Sequence, residues 1–328
     1  MNSFGRIYRT SIFGESHGLL LGAIIDGCPA GIPLSAADFI TDLQRRKSGA
    51  PGTTPRKETD EPEIVSGVFN GKTAGAPITI VYKNEQTISA DYELIRQTPR
   101  PGHADFVLQT KYNGFNDYRG GGHSSGRLTL GLVSTGVIAK KILRGIDISA
   151  KLCEAGGEPD IDAAINKAIE RQDSIGGVVE CRVKGLSIGL GDPFFDSVES
   201  LISHAVFSIP AIKGIEFGSG FKAAGMWGSE HNDAIVDELG TTRNNNSGGI
   251  NGGITNGNEL VFSVAVKPTS STPAEQRTWN QGIKSVEAFQ VKGRHDLCIA
   301  LRVPVVVEAV TAMVLADLKL IQKAFTGS

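Results

Sequence analysis

The sequence is poor in aromatic residues and has no excess of positive charge. Aromatic side chains make up 6% of its 328 residues, and 33 Lys and Arg residues face 35 Asp and Glu residues. Proteins that bind nucleic acids usually carry a basic surface with interleaved aromatic side chains. The composition therefore argues against a nucleic-acid partner.

Cysteine is also scarce, and its four positions show no paired spacing. Metal sites built from cysteine usually use closely spaced pairs. We therefore predict reduced, buried or half-buried thiols in a cytosolic protein, with no bound metal. The cysteines are Cys28, Cys153, Cys181 and Cys298.

Long hydrophobic runs are absent as well. The apolar run 19–25 is stopped by Asp26, whereas a membrane span would need roughly 18 apolar residues. Met1 is not followed by the basic start and apolar segment of a signal peptide. These patterns predict a soluble, cytoplasmic protein that has no membrane partner.

Glycine, by contrast, is abundant at 41 residues, and one glycine-rich stretch also concentrates charge. Segment 100–127 contains three arginines, two histidines and the run Gly120-Gly121-Gly122, and an apolar segment follows it. Glycines let backbone N–H groups approach a ligand, arginine matches phosphate, and the next helix would offer its positive N-terminal end. The stretch is therefore predicted to bind a small anion.

Hydrophobic periodicity predicts alternating strands and helices along the chain. No Pro- or Ser-rich linker, charge block or low-complexity segment marks a boundary, so residues 1–328 are expected to form one layered domain. Asn70-Gly71 is typical of a hairpin turn between two of the strands. The predicted helices are 35–47, 128–143, 161–171, 197–207 and 304–325, and the predicted strands are 19–26, 63–69, 77–82, 146–152, 178–183 and 260–266.

Two short motifs resemble each other. Arg, His and Asp occur in this order between Arg100 and Asp105 and again from Arg294 to Asp296, each time before a predicted long helix. An internal two-fold duplication would explain the echo, and the residues alone leave that question open.

Several further segments have two interpretations. The cations Arg45, Arg46 and Lys47 end the first predicted helix, either as partners of its dipole or as part of a basic lid over an anionic site. His17 lies in a segment with little bulk, which favours a position facing a cavity over a structural one. Segment 243–257, rich in Asn and Gly, is either a flexible turn or part of a binding surface that continues into the hydroxyl-rich segment 267–272.

Five motifs, taken together and in order, resemble the chorismate synthase family over nearly the whole chain. Any one of them would be a weak signal, but the combination is highly specific. The motifs are Phe13-Gly14-Glu15-Ser16-His17-Gly18, Arg100-Pro101-Gly102-His103-Ala104-Asp105, Asp117-Tyr118-Arg119-Gly120-Gly121-Gly122, Lys267-Pro268-Thr269-Ser270-Ser271 and Gly293-Arg294-His295-Asp296.

The resemblance implies a lyase of the shikimate pathway, which leads to the aromatic amino acids. Such enzymes convert 5-enolpyruvylshikimate 3-phosphate to chorismate by a 1,4-anti elimination of phosphate, and they require reduced FMN although no net redox change occurs. The resemblance also implies an α+β fold, a single-domain β-α-β-α sandwich with an internal pseudo-two-fold, and a homotetramer.

The same resemblance assigns roles at the site. Arg46, Arg100, Arg119 and Arg127 would surround the phosphate and carboxylates of the substrate and offset charge as phosphate leaves. His103 would be the acid that protonates the departing phosphate.

The resemblance places two further catalytic groups near the flavin. His17 would stabilise or protonate the reduced ring, and Asp296 would help to remove the C6 proton, either itself or with flavin N5 as the immediate base. The expected flavin-binding residues are His123, Ser124, Ser125, Asn246, Ser247, Gly252, Lys267, Pro268, Thr269, Ser270, Ser271 and Arg294.

The chain departs from the family pattern in two places. His123 stands where the family has Arg, and Gly126 and Leu128 stand where it has Ala and Glu. A second arginine that usually follows the Arg46 region is absent from Ala50-Pro51-Gly52. Because histidine can also donate to a phosphate or a flavin carbonyl, and the other arginines are present, we expect activity to be retained.

Other functions compete with this interpretation. A non-catalytic phosphate- or nucleotide-binding protein would use the same loops, but it would not require His17, His103 and Asp296 beside three anion-binding segments. A flavin reductase that uses NADPH is a further alternative. RNA binding by the Gly- and Arg-rich patch is the least favoured, because the charge balance is acidic.

Overall fold

The computed structural model describes residues 2–54, 59–84, 93–291 and 295–326. The strands are β1 (Ser3–Phe4), β2 (Arg9–Gly14), β3 (Leu20–Asp26), β4 (Glu63–Ser66), β5 (Val68–Phe69), β6 (Lys72–Thr73), β7 (Ile78–Lys83), β8 (Asp147–Ala155), β9 (Gly177–Lys184), β10 (Ile212–Phe217), β11 (Ile250–Asn251), β12 (Ile254–Thr255), β13 (Leu260–Val266), β14 (Gln276–Asn280) and β15 (Ser285–Phe289). The α-helices are α1 (Ile40–Arg46), α2 (Glu93–Gln97), α3 (Asp105–Lys111), α4 (Thr129–Ile142), α5 (Ile161–Arg171), α6 (Val198–Val206), α7 (Gly228–His231) and α8 (Pro304–Thr326).

Two antiparallel sheets carry most of the strands. The first sheet has the order β1-β2-β3-β7-β4, and the second has the order β10-β13-β9-β8. In β13, Leu260, Phe262, Val264 and Val266 are buried and alternate with more accessible residues. This period of two is expected for strands that bury one face of a sheet.

Two long helices lie between the sheets and are apolar on all sides. Residues 129–139 of α4 and 305–318 of α8 are all buried, as expected for helices in the centre of a core. Helix α4 packs on β3, α8 packs on β8, and the two helices contact each other. At their contact, a Cβ on Gly136 would lie only 2.3 Å from the Cβ of Ala309. The absence of a side chain at Gly136 therefore permits this close packing.

Most predicted elements are confirmed. Helix α5 and strand β13 have the predicted bounds, and α4, α6, α8, β3, β8 and β9 differ from prediction by a few residues at most. The first helix begins with a 3₁₀ turn, Ala36–Phe39, in which the Ser35 backbone N–H donates to the Asp38 carboxylate at 2.7 Å. The predicted N-cap segment is thus in place, although only its second half is α-helical.

The predicted hairpin is correct at its turn, and its two predicted strands do pair with each other as β4 and β7, but a second, shorter hairpin lies between them. Asn70 and Gly71 do join two antiparallel strands, but these are the short β5 and β6. The predicted strand 63–69 is interrupted at Gly67, which has a φ of 82°, so its first part is β4, which pairs with β7, and its last part is β5. Strands β2 and β10 and the hairpin of β14 and β15 were not predicted.

The α+β fold is confirmed, and the chain repeats one order of elements. In each half, an antiparallel sheet is followed by a long helix, first the sheet with β7 and then α4, later the sheet with β13 and then α8. This is the order that an internal duplication predicts. The main hydrophobic core includes side chains from both sheets and both helices. Among the described residues, none of the helices combines the length and apolar character that a membrane-spanning segment needs.

A buried carboxylate ties three helices together. Glu308 of α8 is 2% exposed and accepts hydrogen bonds from Arg45 of α1 at 2.6 and 2.7 Å and from Lys140 of α4 at 3.0 Å. The backbone N–H of Ala150 donates to it at 2.9 Å. Burial alone would raise the pKa of Glu308, but Arg45 and Lys140 outweigh it and lower that pKa. The network fixes the end of α1, where Arg46 follows.

Replacing Glu308 with glutamine should lower the free energy of unfolding by roughly 3 kcal/mol at neutral pH, because two cations lose a buried partner. A carboxyl group whose folded-state pKa is lowered stabilises the fold above its ordinary value of 4.5 and loses that contribution as pH falls. The difference between wild type and variant, measured by denaturant titration, should therefore shrink below pH 4.5. The control is Glu158→Gln, which removes an exposed pair with Lys167 and should cost at most about 0.5 kcal/mol.

Candidate active site

A turn built from three glycines forms one wall of the site. Gly120, Gly121 and Gly122 have φ values of 59°, 84° and 53°, which favour glycine because a Cβ is strained in that region. A Cβ on Gly120 would lie 2.8 Å from Nε2 of His17 and 2.8 Å from Oγ of Ser16. His17, which is 6% exposed, therefore lies directly against the turn, next to Ser16, which lines the cavity described below.

The second predicted catalytic histidine lies against the next glycine. Cε1 and Nε2 of His103 are 3.4 and 3.6 Å from the position that a Cβ on Gly121 would occupy. One short turn therefore lies against both His17 and His103. This proximity joins two motifs that are more than eighty residues apart in the sequence.

An aspartate fixes the orientation of His103. Nδ1 of His103 lies 2.6 Å from Oδ1 of Asp105, so the proton on Nδ1 is donated to the carboxylate and Nε2 is left for proton exchange. Arg100 donates to the same carboxylate through Nε and Nη2, both at 2.8 Å. Burial alone would raise the pKa of Asp105, but the hydrogen bonds from Arg100 and His103 hold it well below its ordinary value. Asp105 thus stays anionic and keeps the imidazole in one tautomer.

The hydroxyl-rich segment after β13 meets this loop. Nη1 of Arg100 donates to Oγ of Ser271 at 2.8 Å. Nζ of Lys267 donates to the Gly102 carbonyl at 2.7 Å and to Oγ of Ser270 at 2.8 Å. Burial, followed by the charge of Lys213, lowers the pKa of Lys267. The structure thus brings part of the predicted cofactor-binding segment against the loop that carries Arg100 and His103.

A cavity of about 490 Å³ opens beside these groups. Gly120 and Ser16 line it, so it extends to the glycine turn. Its lining contains residues of both halves of the chain. Six of the predicted site residues line it, namely Arg46, Ser125, Arg127, Thr269, Ser271 and Asp296.

Two predicted substrate arginines share one carboxylate in this cavity. Nη1 of Arg46 is 3.3 Å from Oδ2 of Asp60, and Nη1 of Arg127 is 2.8 Å from Oδ1. Arg46 also donates through Nε to Oγ1 of Thr129 at 2.9 Å. Burial, then the charges of Arg302 and Arg127, lowers the pKa of Arg46, and Asp60 opposes this shift. Because the Arg guanidinium does not lose its proton in proteins, it remains a cation here.

Asp296 also lines the cavity and is held from two sides. Oδ1 accepts from the Thr54 backbone N–H at 2.9 Å, and Oδ2 accepts from Nη1 of Arg302 at 3.0 Å. The same Arg302 donates through Nε to the backbone carbonyl of Arg46 at 2.8 Å. Arg302 therefore links the predicted base to the predicted substrate arginine.

The other two substrate arginines are paired as well. Arg119 donates to Asp117 through Nε at 2.8 Å and Nη2 at 2.7 Å, and Arg100 pairs with Asp105. The cavity lining includes Arg46 and Arg127, and it does not include Arg100 or Arg119. Arg119 directly precedes Gly120, which does line the cavity.

Of the predicted flavin residues in the glycine turn, two lie outside the cavity lining. His123 lies 2.7 Å through Nδ1 from the Gly14 carbonyl, and Ser124 donates to the Gly121 carbonyl at 2.7 Å. Both contacts stabilise the turn and its junction with β2. Ser125 faces the cavity.

Three predicted flavin residues lie at the far end of a strand. The backbone N–H groups of Asn246 and Ser247 donate to Asp233, each at 2.8 Å, and Gly252 lies in the turn between β11 and β12. The backbone N–H of Val261, near the start of β13, donates to the carbonyl of Gly248, the residue after Ser247, at 3.1 Å. Segment 267–271 follows the opposite end of β13. A strand of 7 residues is about 20 Å long, so this distance separates its two ends. Within one chain these two groups of residues are therefore separated, and Arg294 lies outside the described residues.

Sequence patterns missed Asp60 and Arg302. Asp60 belongs to the run Asp60-Glu61-Pro62-Glu63, in which nothing distinguishes a cavity carboxylate from solvated ones. Arg302 lies just before α8, and only its position near the predicted start of that helix could have drawn attention to it. In the described part of the chain, no group of three or more His, Cys, Asp or Glu side chains is placed to hold a metal ion.

The arrangement suits an anionic substrate and a proton transfer. Arginines are fixed by carboxylates, two imidazoles lie against one turn, and a second carboxylate, Asp296, faces the same cavity. Ammonium and hydroxyl donors at Lys267, Ser270 and Ser271 fit a phosphate or the polar edge of a flavin ring.

Comparisons with known proteins agree with this geometry. The family model described as "Chorismate synthase" matches residues 8–320. A chorismate synthase of Chitinophaga pinensis is 66% identical over 324 residues, which cover 98% of this chain and 98% of that protein. A chorismate synthase of Dehalococcoides mccartyi is 45% identical, with 97% of this chain and 96% of that protein covered. A crystal structure of a chorismate synthase is similar with a TM-score of 0.75 and 29% identity, covering 97% of this chain and 93% of that one.

Proposed function

This chain belongs to the chorismate synthase family of lyases, and on that premise we propose that it converts 5-enolpyruvylshikimate 3-phosphate to chorismate. The reaction is a 1,4-anti elimination of phosphate that depends on reduced FMN and leaves no net redox change. The observation that carries the proposal is the placement of His103, whose Nδ1 is bound to Asp105 while its other edge faces the glycine turn.

His103 would act on the leaving group. When the bond between C3 and the phosphate oxygen breaks, the oxygen keeps the electron pair, and a proton from Nε2 of His103 stabilises the charge that develops. The anionic Asp105 stabilises the imidazolium before transfer and holds the ring in place afterwards.

The arginines would bind the anionic groups of the substrate. Arg46 and Arg127 are held by Asp60 and line the cavity. Groups whose positions are fixed before the reaction stabilise developing charge without reorganising during it. This supports a role for the pair in binding phosphate or carboxylate.

Asp296 would help to remove the proton from C6. Its two oxygens are held by Thr54 and Arg302, so the carboxylate has a fixed direction in the cavity. A carboxylate that is fixed in the cavity lining supports this role as a base.

The residues present fit a reduced flavin. His17 offers an imidazole against the glycine turn, and segment 267–271 offers hydroxyl and ammonium donors. When bound, reduced FMN supplies a transient electron to the substrate. The chain's own contribution is to bind the cofactor, to orient it and to hold a proton at His17.

Anaerobic incubation with chemically reduced FMN and 5-enolpyruvylshikimate 3-phosphate should release phosphate and chorismate in equal amounts. Phosphate is followed by a coupled assay and chorismate by its absorbance. Folded protein that gives no turnover would contradict the proposal. Oxidised FMN with NADPH, in place of reduced FMN, tests whether the protein also reduces its own flavin.

We further propose a cytoplasmic homotetramer, as the family resemblance implies. Large apolar side chains such as Phe194, Phe195, Phe221 and Trp227 are 77% to 92% exposed. Such side chains on a folded chain support association with further copies. Sedimentation of the purified protein should give a four-chain particle.

A further inference from the structure

An acidic side chain lies inside a cavity that is built for anions. Asp60 lines the cavity and is 6% exposed. A negative charge in this position should repel a phosphate or a carboxylate, so its presence requires a compensating role. Its contacts show what that role is.

Asp60 contacts the two cavity arginines with one oxygen each. Oδ1 pairs with Arg127 at 2.8 Å, and Oδ2 pairs with Arg46 at 3.3 Å. The arginines come from different elements, since Arg46 ends α1 and Arg127 lies in the 3₁₀ turn before α4. The carboxylate thus joins the two guanidinium groups, whereas Nη2 of Arg46 reaches the other segment only through the backbone carbonyls of Gly126 and Arg127, at 3.4 and 3.5 Å.

Hydrogen bonds at Nε also hold the two guanidinium groups. Arg46 donates through Nε to Thr129 at 2.9 Å, and Arg127 donates through Nε to Oδ1 of Asn84 at 2.6 Å. Each arginine is therefore held at Nε by a neutral oxygen and at Nη1 by Asp60. Among these contacts, only Asp60 touches both groups.

Charge explains why a carboxylate is needed for this bridge. Two buried guanidinium groups repel each other strongly where water is excluded. Side chains of Arg46 and Arg127 are 4% and 9% exposed. One shared anion offsets this repulsion and still leaves the trio with a net positive charge for the substrate.

We propose that Asp60 is a positioning residue that holds Arg46 and Arg127 at a fixed spacing for the anionic groups of the substrate. The proposal rests on the proposed function, because it names how that substrate is bound. Positioning and a simple charge effect predict opposite changes in anion affinity when the carboxylate is removed. If charge dominated, removing the carboxylate would tighten anion binding, whereas loss of positioning weakens it.

Asp60→Asn is the matched substitution. The side chain keeps its shape and loses its charge, and asparagine tolerates the φ of 50° at this position. At saturating reduced FMN, KM for 5-enolpyruvylshikimate 3-phosphate should rise by roughly 10-fold or more, because a charge-assisted pair is lost on each arginine. The turnover number should change less than KM, and FMN affinity should stay unchanged.

The control is Glu63→Gln, which removes an exposed carboxylate paired with Lys83 at 3.5 Å on the same segment. Its KM should equal that of wild type. A KM for Asp60→Asn that is unchanged or lower overturns the proposal. If Asp60→Asn does not fold, Asp60→Gly, which also suits a positive φ, should give the same rise in KM. Loss of the fold in both variants would show a purely structural role and would equally overturn it.

Failure of the proposed function gives a different result. In that case the wild-type protein gives no chorismate, and the test of Asp60 moves to inorganic phosphate. Calorimetry should then show weaker phosphate binding by Asp60→Asn than by wild type and Glu63→Gln. Equal or tighter binding by Asp60→Asn would overturn the proposal without reference to turnover.

Discussion

Replacing His103 with glutamine should lower the turnover number by roughly 100- to 10,000-fold, the range in which a lost general acid falls. Glutamine can still hydrogen-bond to Asp105, but its amide cannot deliver a proton to the departing phosphate. Turnover is measured under anaerobic conditions, and FMN and substrate affinities are measured separately by fluorescence and calorimetry. Both affinities should remain within about three-fold of wild type, because the charge pairs of Arg100 and Arg46 stay in place.

The control for this change is His204→Gln. His204 is exposed on α6 and packs edge-on against Phe4, with ring centroids 5.3 Å apart, outside the cavity lining. Its turnover should match wild type. If His103→Gln keeps wild-type turnover, His103 is not the acid. An equal loss of turnover in both variants would indicate a general effect on the fold.

Gly120→Ala should lower turnover by about 100-fold, the effect expected when a catalytic group is displaced by an ångström. The new methyl group would lie 2.8 Å from Nε2 of His17 and from Oγ of Ser16, so at least one of them must move. The φ of 59° adds backbone strain, worth roughly 1 kcal/mol. Turnover and thermal stability are measured together to separate the two effects.

The control is Gly114→Ala, which introduces similar backbone strain but no close contact for the new methyl group. Gly114 has a φ of 80°, and a Cβ there would have no heavy atom within 4 Å. It should lose similar stability but keep its turnover. If the two variants have the same turnover, the contact with His17 has no catalytic consequence.

Local sequence patterns predicted helices and strands well where packing on the core requires a regular spacing of apolar residues. Helices α5 and α8 and strand β13 follow their apolar spacing closely, because each packs on the core along its length. The hairpin at Asn70 was correct for the same kind of local reason, since that turn needs particular residues. Strand 63–69 is interrupted at Gly67 because its first part pairs with β7 and its last part with β6, and no local pattern reveals that change of partner.

Segment 243–257 is rich in Asn, and its side chains hydrogen-bond within the protein. Its amides were interpreted as a flexible turn or as donors for a ligand, but the structure uses them within the protein. Nδ2 of Asn256 donates to Oδ1 of Asn251 at 2.7 Å, and Nδ2 of Asn245 donates to the Glu259 carbonyl at 2.7 Å. Asparagine side chains that satisfy backbone groups are common in tight loops. Their role in binding FMN stays a prediction.

The cavity was predictable only in part, because its contacts are long-range. The motifs identified Asp296, which lines the cavity, and also His17 and His103, which lie against the glycine turn beside it. The resemblance supplied their proposed roles. Asp60 lies 67 residues from Arg127 in the chain, and Arg302 lies 256 residues from Arg46. Pairs at such separations depend on how the two halves pack, so a single sequence gives no sign of them.

The hydrogen bond from Arg302 to the Arg46 carbonyl also bears on how the protein is made. Translation produces α1 early and Arg302 close to the end of the chain. The orientation of Asp296 and the position of Arg46 depend on that late residue, so a nascent chain on the ribosome lacks a finished site even if its first sheet has formed. Synthesis interrupted before Arg302 would therefore yield a fragment that lacks this contact.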